Sequence, residues 1–180
     1  MFINATGFYV PADRVDNEHF RELNGLTSEW IEQRTGILTR SKAKPEENVN
    51  TMSLEAVRDA LPHLPYDIKE VDLIVSASYS PHDTVATAAH TVQHVYQIAG
   101  AKALYLSSAC SSFMNALEVV EGYFASGKAK KALVLSADKN SAYYNETDPK
   151  AGHLWGDAAA AFFLSKELVS ETDAEILEVY

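Results

Sequence analysis

Three short apolar runs, Val71–Ala77, Ala103–Leu106 and Ala132–Ala137, are rich in Val, Ile and Leu. Such near-continuous runs are expected of strands covered on both faces. Between them the apolar period changes. Ala88, Val92, Val95 and Ala99 recur at helical spacing across 86–99 and end at Gly100, and Phe113, Leu117, Val120 and Phe124 do the same across 111–126 and end at Gly127. The order strand, helix, strand, helix, strand predicts an α/β fold with a mostly parallel sheet, right-handed crossovers and helices on both faces.

The flanks extend this pattern. Thr51–Leu61 reads as a helix stopped by Pro62, and Thr27–Arg34 as a short helix capped by Thr27 or Ser28. Arg40–Asn50, with its two Lys, two Glu, two Asn and one Pro, reads as a surface loop. Asp157–Leu164 and Ala174–Tyr180 read as two more strands, and the chain stops inside the second, as one half of a larger protein would. No repeat or linker interrupts the sequence, so residues 1–180 are taken as one domain.

At 180 residues, 47% hydrophobic and 22% charged, the chain has the composition of a globular domain able to bury a core, which excludes disorder. Its 15 basic and 25 acidic residues give a net charge of −10, spread evenly along the chain. An acidic surface repels phosphate backbones and anionic lipid, so neither nucleic acid nor a membrane surface is expected as a partner. Lys128, Lys130 and Lys131 form one local basic group, read as a solvated helix end. The longest apolar run, Ala158–Leu164, falls far short of the roughly 20 residues that span a bilayer. The opening Met1-Phe2-Ile3-Asn4 lacks a basic segment followed by an apolar one, so a cytoplasmic location is expected.

The single cysteine, Cys110, cannot form an internal disulfide. It follows the strand-like Leu104–Leu106 and a run of small residues, at the first turn of an apolar helix. Ligands of open parallel sheets gather at the carboxyl ends of strands, and a helix start stabilises a thiolate by about 0.5–2 kcal/mol while its free N–H groups can hold an oxyanion. Cys110 is therefore the candidate nucleophile, with a small buried thiol as the plain alternative. None of His19, His63, His82, His90, His94 and His153 declares itself as its base. His90 and His94 are four apart but have no intervening glutamate and no third ligand, so no metal is expected. Trp30 and Arg34 share one helix face, where an indole and a guanidinium can grip an aromatic, phosphorylated ligand. Gly156-Asp157, followed by four alanines, reads as a structural turn.

Taken together, Glu29-Trp30-Ile31 with Arg34-Thr35-Gly36-Ile37, Ala109-Cys110-Ser111-Ser112-Phe113, and Gly156-Asp157-Ala158-Ala159-Ala160-Ala161 resemble three motifs of the β-ketoacyl-acyl carrier protein synthase III family. The opening Met1–Pro11 resembles that family's first strand and Pro-containing turn. The resemblance implies the N-terminal half of a thiolase-like fold, with a mostly parallel mixed sheet. It also implies acyl-coenzyme A and malonyl-acyl carrier protein as substrates, no cofactor, and a homodimer. Cys110 would take a starter acyl group, and a carbanion from malonyl decarboxylation would attack the resulting thioester. Trp30 and Arg34 match the family's contacts to the adenine end of coenzyme A, and Thr27 is grouped with them as substrate-binding.

Five departures stand out. The family's cysteine is usually followed by Ala-Gly rather than Ser111-Ser112, and its turn is usually Gly-Asp-Gly rather than Gly156-Asp157-Ala158. A phosphate-binding arginine before that turn is absent, with only Lys150 near. Val85 stands near the place where many relatives put a phenylalanine that closes the acyl pocket across the dimer, so a starter longer than acetyl is expected. The family's catalytic histidine and asparagine come from a second half, so these 180 residues alone are expected not to condense. Two other readings remain open at this point: a hydroxymethylglutaryl-coenzyme A synthase-like acyltransferase, and a non-catalytic subunit that completes a dimer.

Overall fold

The computed structural model describes residues 1–179. In chain order its elements are β1 (Phe2–Tyr9), β2 (Asp13–Asp16), α1 (Glu18–Asn24), α2 (Ser28–Thr35), β3 (Thr39–Lys42), α3 (Val49–Ala60), β4 (Leu73–Ala77), α4 (Ala88–Val95), β5 (Lys102–Leu106), α5 (Ser112–Ala125), β6 (Lys131–Lys139), β7 (Asp157–Ser165) and β8 (Ala174–Glu175). Six strands form one mixed sheet in the order β5-β4-β6-β7-β1-β8. β4 lies parallel to β5, with Val75 opposite Leu104, and parallel to β6, with Val75 opposite Val134. β1 runs antiparallel to β7 and β8.

Every residue of β4 is buried, which explains the unbroken apolar run. Alternation along the strand sends Leu73, Val75 and Ala77 to one face, where they join Ala116, Leu117, Val120 and Phe124 of α5 in a single cluster. Ile74 and Ser76, also buried, point to the other face; α4 packs on β4 and β5 and against α3. Each large aliphatic side chain buried here contributes about 1.5–3 kcal/mol. α5 is thus tied firmly to the middle of the sheet, and its first residue follows β5 after only a short turn.

The residues form two compact units, each discontinuous in sequence. One comprises Met1–Tyr9, Val49–Asp138 and the chain from Ala159, and carries the sheet with α3, α4 and α5. The other comprises Val10–Asn48 and Lys139–Ala158, and carries α1, α2 and the antiparallel β2–β3 ribbon. The chain enters and leaves the second unit without any Gly/Ser-rich or charged linker, so composition does not mark the division.

Several local expectations are corrected. The loop expected over Arg40–Asn50 begins inside β3, where Arg40 pairs with Val15 and is buried, and ends inside α3. The α4 helix stops at Val95, short of Gly100, because Gln97 adopts a left-handed φ of 54°. Of the strand expected over Ala174–Tyr180, only Ala174–Glu175 pairs with β1, and Tyr180 lies outside the described residues. The short helix α1 was not signalled, since it buries a single side chain, Phe20. Among the described residues no helix is long and apolar enough to cross a membrane.

β1 approaches α3 so closely that a Cβ on Gly7 would sit 2.3 Å from the Ala56 carbonyl oxygen and 2.5 Å from the Ala60 nitrogen. Backbone atoms cannot move aside as a side-chain end can. Gly7→Ala is expected to destabilise the sheet unit by about 1–3 kcal/mol, measured by denaturant unfolding; an unchanged midpoint would show that the β1–α3 contact can open at no cost.

Candidate active site

Cys110 lies at the carboxyl ends of the parallel strands, on the turn between β5 and α5, and it is exposed. It sits in a single 3-10 turn, Ala109–Ser111, just ahead of the α-helix rather than within its first turn. The neighbouring strand end is fixed to the same place. The Ser78 N–H donates to the Leu106 carbonyl at 3.2 Å, and the Tyr105 hydroxyl donates to the Ser78 carbonyl at 2.7 Å. One oxygen of Asp138, at the end of β6, accepts from the Ser78 and Ser80 hydroxyls and from the Tyr79 and Ser80 N–H groups, at 2.6–3.0 Å. The ends of β4, β5 and β6 are thereby held around the Cys110 turn.

The turn is strained. Ala109, immediately before the cysteine, has φ 53°, in the left-handed region. Keeping an alanine there costs about 1–2 kcal/mol, and the surroundings must hold it. The Ser108 N–H donates to the Ser112 hydroxyl, the Ser111 N–H to the Ser108 carbonyl and the Ser112 N–H to the Ala109 carbonyl. Two of the N–H groups expected to stand free at the head of α5, those of Ser111 and Ser112, are therefore consumed by the turn itself. Among the described residues no imidazole is hydrogen-bonded to the Cys110 sulfur.

Val85 stands on the loop after β4, 81% exposed, its N–H donating to Asp83 at 2.7 Å. Of the cavities found, one lies at the opposite end of β6, lined by Ala129, Lys130, Lys166 and Val169, and another by Asp13, Lys42, Lys44 and Lys139. Neither includes Cys110 or Val85.

The second unit brings Thr27, Trp30 and Arg34 together. The Thr27 hydroxyl oxygen caps α2 by accepting the Trp30 N–H at 3.2 Å. The Arg34 guanidinium sits 4.3 Å from the Trp30 ring centre, so the two side chains close on each other instead of leaving a slot between them. His153 meets the same indole edge to face at 5.6 Å. Its position carried no sequence signal, yet it is 2% exposed. Its carbonyl accepts from Arg40 Nε at 2.6 Å, and its Nδ1 has no hydrogen-bond partner among the described residues. Arg40 is itself 5% exposed, donates through Nη1 to Asn17 at 2.6 Å and stacks 4.7 Å over Phe20. Burial and the nearby Arg40 cation push the His153 imidazole below its ordinary 6.5. Asp157, fully buried, accepts from the Ala43 N–H and from the Ser141 N–H and hydroxyl at 2.5–2.8 Å, which makes its turn structural. His90 bonds at 3.0 Å to Thr87, the residue that precedes its own helix.

Comparison with known proteins bears on the Cys110 segment directly. Residues 105–180 match the family model of 3-oxoacyl-[acyl-carrier-protein (ACP)] synthase III. The chain is 38% identical over 162 residues to a β-ketoacyl-[acyl-carrier-protein] synthase III of Pasteurella multocida, covering 90% of this chain and 51% of that protein. Among solved structures, the 3-oxoacyl-[acyl-carrier-protein] synthase III of Aquifex aeolicus superposes with a TM-score of 0.86 at 34% identity, over 94% of this chain and 54% of that one. The priming β-ketosynthase of the R1128 polyketide biosynthetic pathway superposes with a TM-score of 0.85 at 29% identity, over 91% and 49%. The chain thus spans about half the length of the relatives it matches, and the fold is thiolase-like.

The His153 environment gives a pH signature. In the folded state this histidine binds fewer protons than in the unfolded chain, so its contribution is complete above pH 6.5 and is lost as the pH falls below that value. The thermal midpoint is expected to drop between about pH 7 and about pH 5.5, and to drop less in His153→Gln. Equal drops would show that His153 does not set the slope.

Proposed function

We propose that this chain, which resembles about half of a β-ketoacyl-[acyl-carrier-protein] synthase III in sequence and in fold, carries the acyl-accepting part of a condensing enzyme. The observation that carries the proposal is an exposed cysteine on a strained turn at the strand ends, inside the segment matched by the family model. The Cys110 sulfur attacks the carbonyl carbon of a starter thioester; a new C–S bond forms, the old one breaks, and coenzyme A leaves as the thiol with the proton Cys110 has given up. A malonyl group on acyl carrier protein then loses its carboxylate as carbon dioxide. The electron pair left behind attacks the acyl carbonyl, Cys110 departs as thiolate, and a 3-oxoacyl thioester results.

In this reading Thr27, Trp30 and Arg34 take the adenine end of coenzyme A. Arg34 already covers one face of the indole, so the base stacks on the other face or displaces Arg34. A homodimer through β5 fits the strand's place at the edge of the sheet and the exposed Val85, Val95 and Tyr105. Such a partner would also supply walls for an acyl pocket, and Val85 in place of a phenylalanine leaves room for a starter longer than acetyl. The location is the cytoplasm, where acyl-coenzyme A and acyl carrier protein meet.

The test supplies the full-length gene product with malonyl-acyl carrier protein and a series of acyl-coenzyme A starters. Carbon dioxide and 3-oxoacyl product are expected, and Cys110→Ala should lower the rate by about 10³-fold or more. The 180-residue chain alone should release no carbon dioxide; release at the full-length rate would refute the need for a second half. Val85→Phe should shift preference toward the shorter starter by about 10–100-fold, and an unchanged chain-length profile would remove Val85 from the acyl pocket.

A further inference from the structure

The two residues after Cys110 are serines, and both hydroxyls fold back onto the turn that carries the cysteine. Ser112 is 5% exposed. Its hydroxyl oxygen accepts the Ser108 N–H at 2.9 Å, and its proton goes to the Ala109 carbonyl at 2.7 Å. One side chain therefore bridges the turn on the near side of Cys110 while sitting on the far side of it. The Ser111 hydroxyl adds a bond to the Ser108 carbonyl at 2.8 Å, and Asn115, one turn into α5, donates to the Ser108 hydroxyl at 2.8 Å.

We propose that Ser112 is a positioning residue that locks the Cys110 turn to the rigid start of α5. The proposal rests on the reading of Cys110 as the acyl acceptor. Ala109 at φ 53° is the residue that would relax first, because an alanine prefers negative φ. Its carbonyl receives both the N–H and the hydroxyl of Ser112, so any relaxation of Ala109 breaks bonds to a helix whose next turns are fixed in the core by Ala116, Leu117 and Val120. Removing the hydroxyl leaves the Ser108 N–H without its acceptor and frees the Ala109 peptide to turn, carrying the adjacent Cys110 away from the helix start. A glycine at 109 adopts the left-handed conformation without steric cost, so it should do without the clamp.

The experiment uses the full-length gene product as wild type, Ser112→Ala, Ser112→Thr, Ala109→Gly and the Ala109→Gly/Ser112→Ala double variant. Two readouts are taken: the rate of iodoacetamide alkylation at the Cys110 peptide by mass spectrometry, and kcat and KM for acyl-coenzyme A. Ser112→Ala is expected to lower the alkylation rate and kcat by about tenfold, with KM unchanged. Ser112→Thr, which keeps the hydroxyl, and the double variant should recover most of the loss. A Ser112→Ala protein that alkylates at the wild-type rate, or a double variant that recovers nothing, overturns the clamp. If Ser112→Ala fails to fold, wild-type alkylation in Ser112→Thr together with recovered folding in the double variant supports the proposal, and failure of both overturns it. A wild-type protein that takes no acyl group at Cys110 defeats the functional reading, while the alkylation rates still decide the clamp.

Discussion

The parallel pairing of β4 with β5 and β6, buried on both faces, is the constraint from which the site follows. Because α5 covers one face of β4 while following directly from the neighbouring β5, the chain must reverse between Leu106 and Ser112. A reversal that short demands small residues and tolerates one strained position, and the sequence supplies Ser107, Ser108 and Ala109 for it. Cys110 is then presented at the end of a fixed strand and the head of a fixed helix, where it cannot sink into the core. The same burial that stabilises the sheet unit thereby generates an exposed thiol.

A second constraint acts in the smaller unit. Arg40 is a buried cation that makes no ion pair among the described residues; it is accommodated by Asn17, the His153 carbonyl and the face of Phe20. Burial first, and its positive charge second, push the adjoining imidazole below its ordinary value, and that imidazole meets the indole of Trp30 edge to face. Glu146 gathers another part of this unit: burial would raise its carboxyl, but bonds from Lys42, Tyr144 and His19 outweigh that and hold it below its ordinary value. The face offered by Trp30 and Arg34 is therefore built on a polar interior, in contrast to the aliphatic interior beneath Cys110.

That contrast explains what could be read from residues alone. The run Val71–Ala77 and the helical spacing of Phe113, Leu117, Val120 and Phe124 declared β4 and α5, since each follows directly from burial of an apolar face. Cys110 was legible because it is the only thiol and sits where a strand gives way to a helix. β3 was not, because Thr39-Arg40-Ser41-Lys42 buries an arginine rather than an aliphatic side chain, and periodicity cannot see a buried cation. His153 was hidden for a similar reason, since the residues it meets, Arg40 and Trp30, are far away in sequence. The serine clamp around Ala109 was present in the letters Ser111-Ser112, but its meaning required the left-handed φ that Ala109 adopts in the fold.

The claim that binds these parts is that the turn after β5 offers its sulfur to a thioester. Its most direct measurement is the intact and peptide mass of the full-length protein after brief mixing with an acyl-coenzyme A in the absence of malonyl-acyl carrier protein. The account predicts a single acyl increment on the peptide carrying Cys110, removed by hydroxylamine. No increment, or one confined to a different residue, would contradict it.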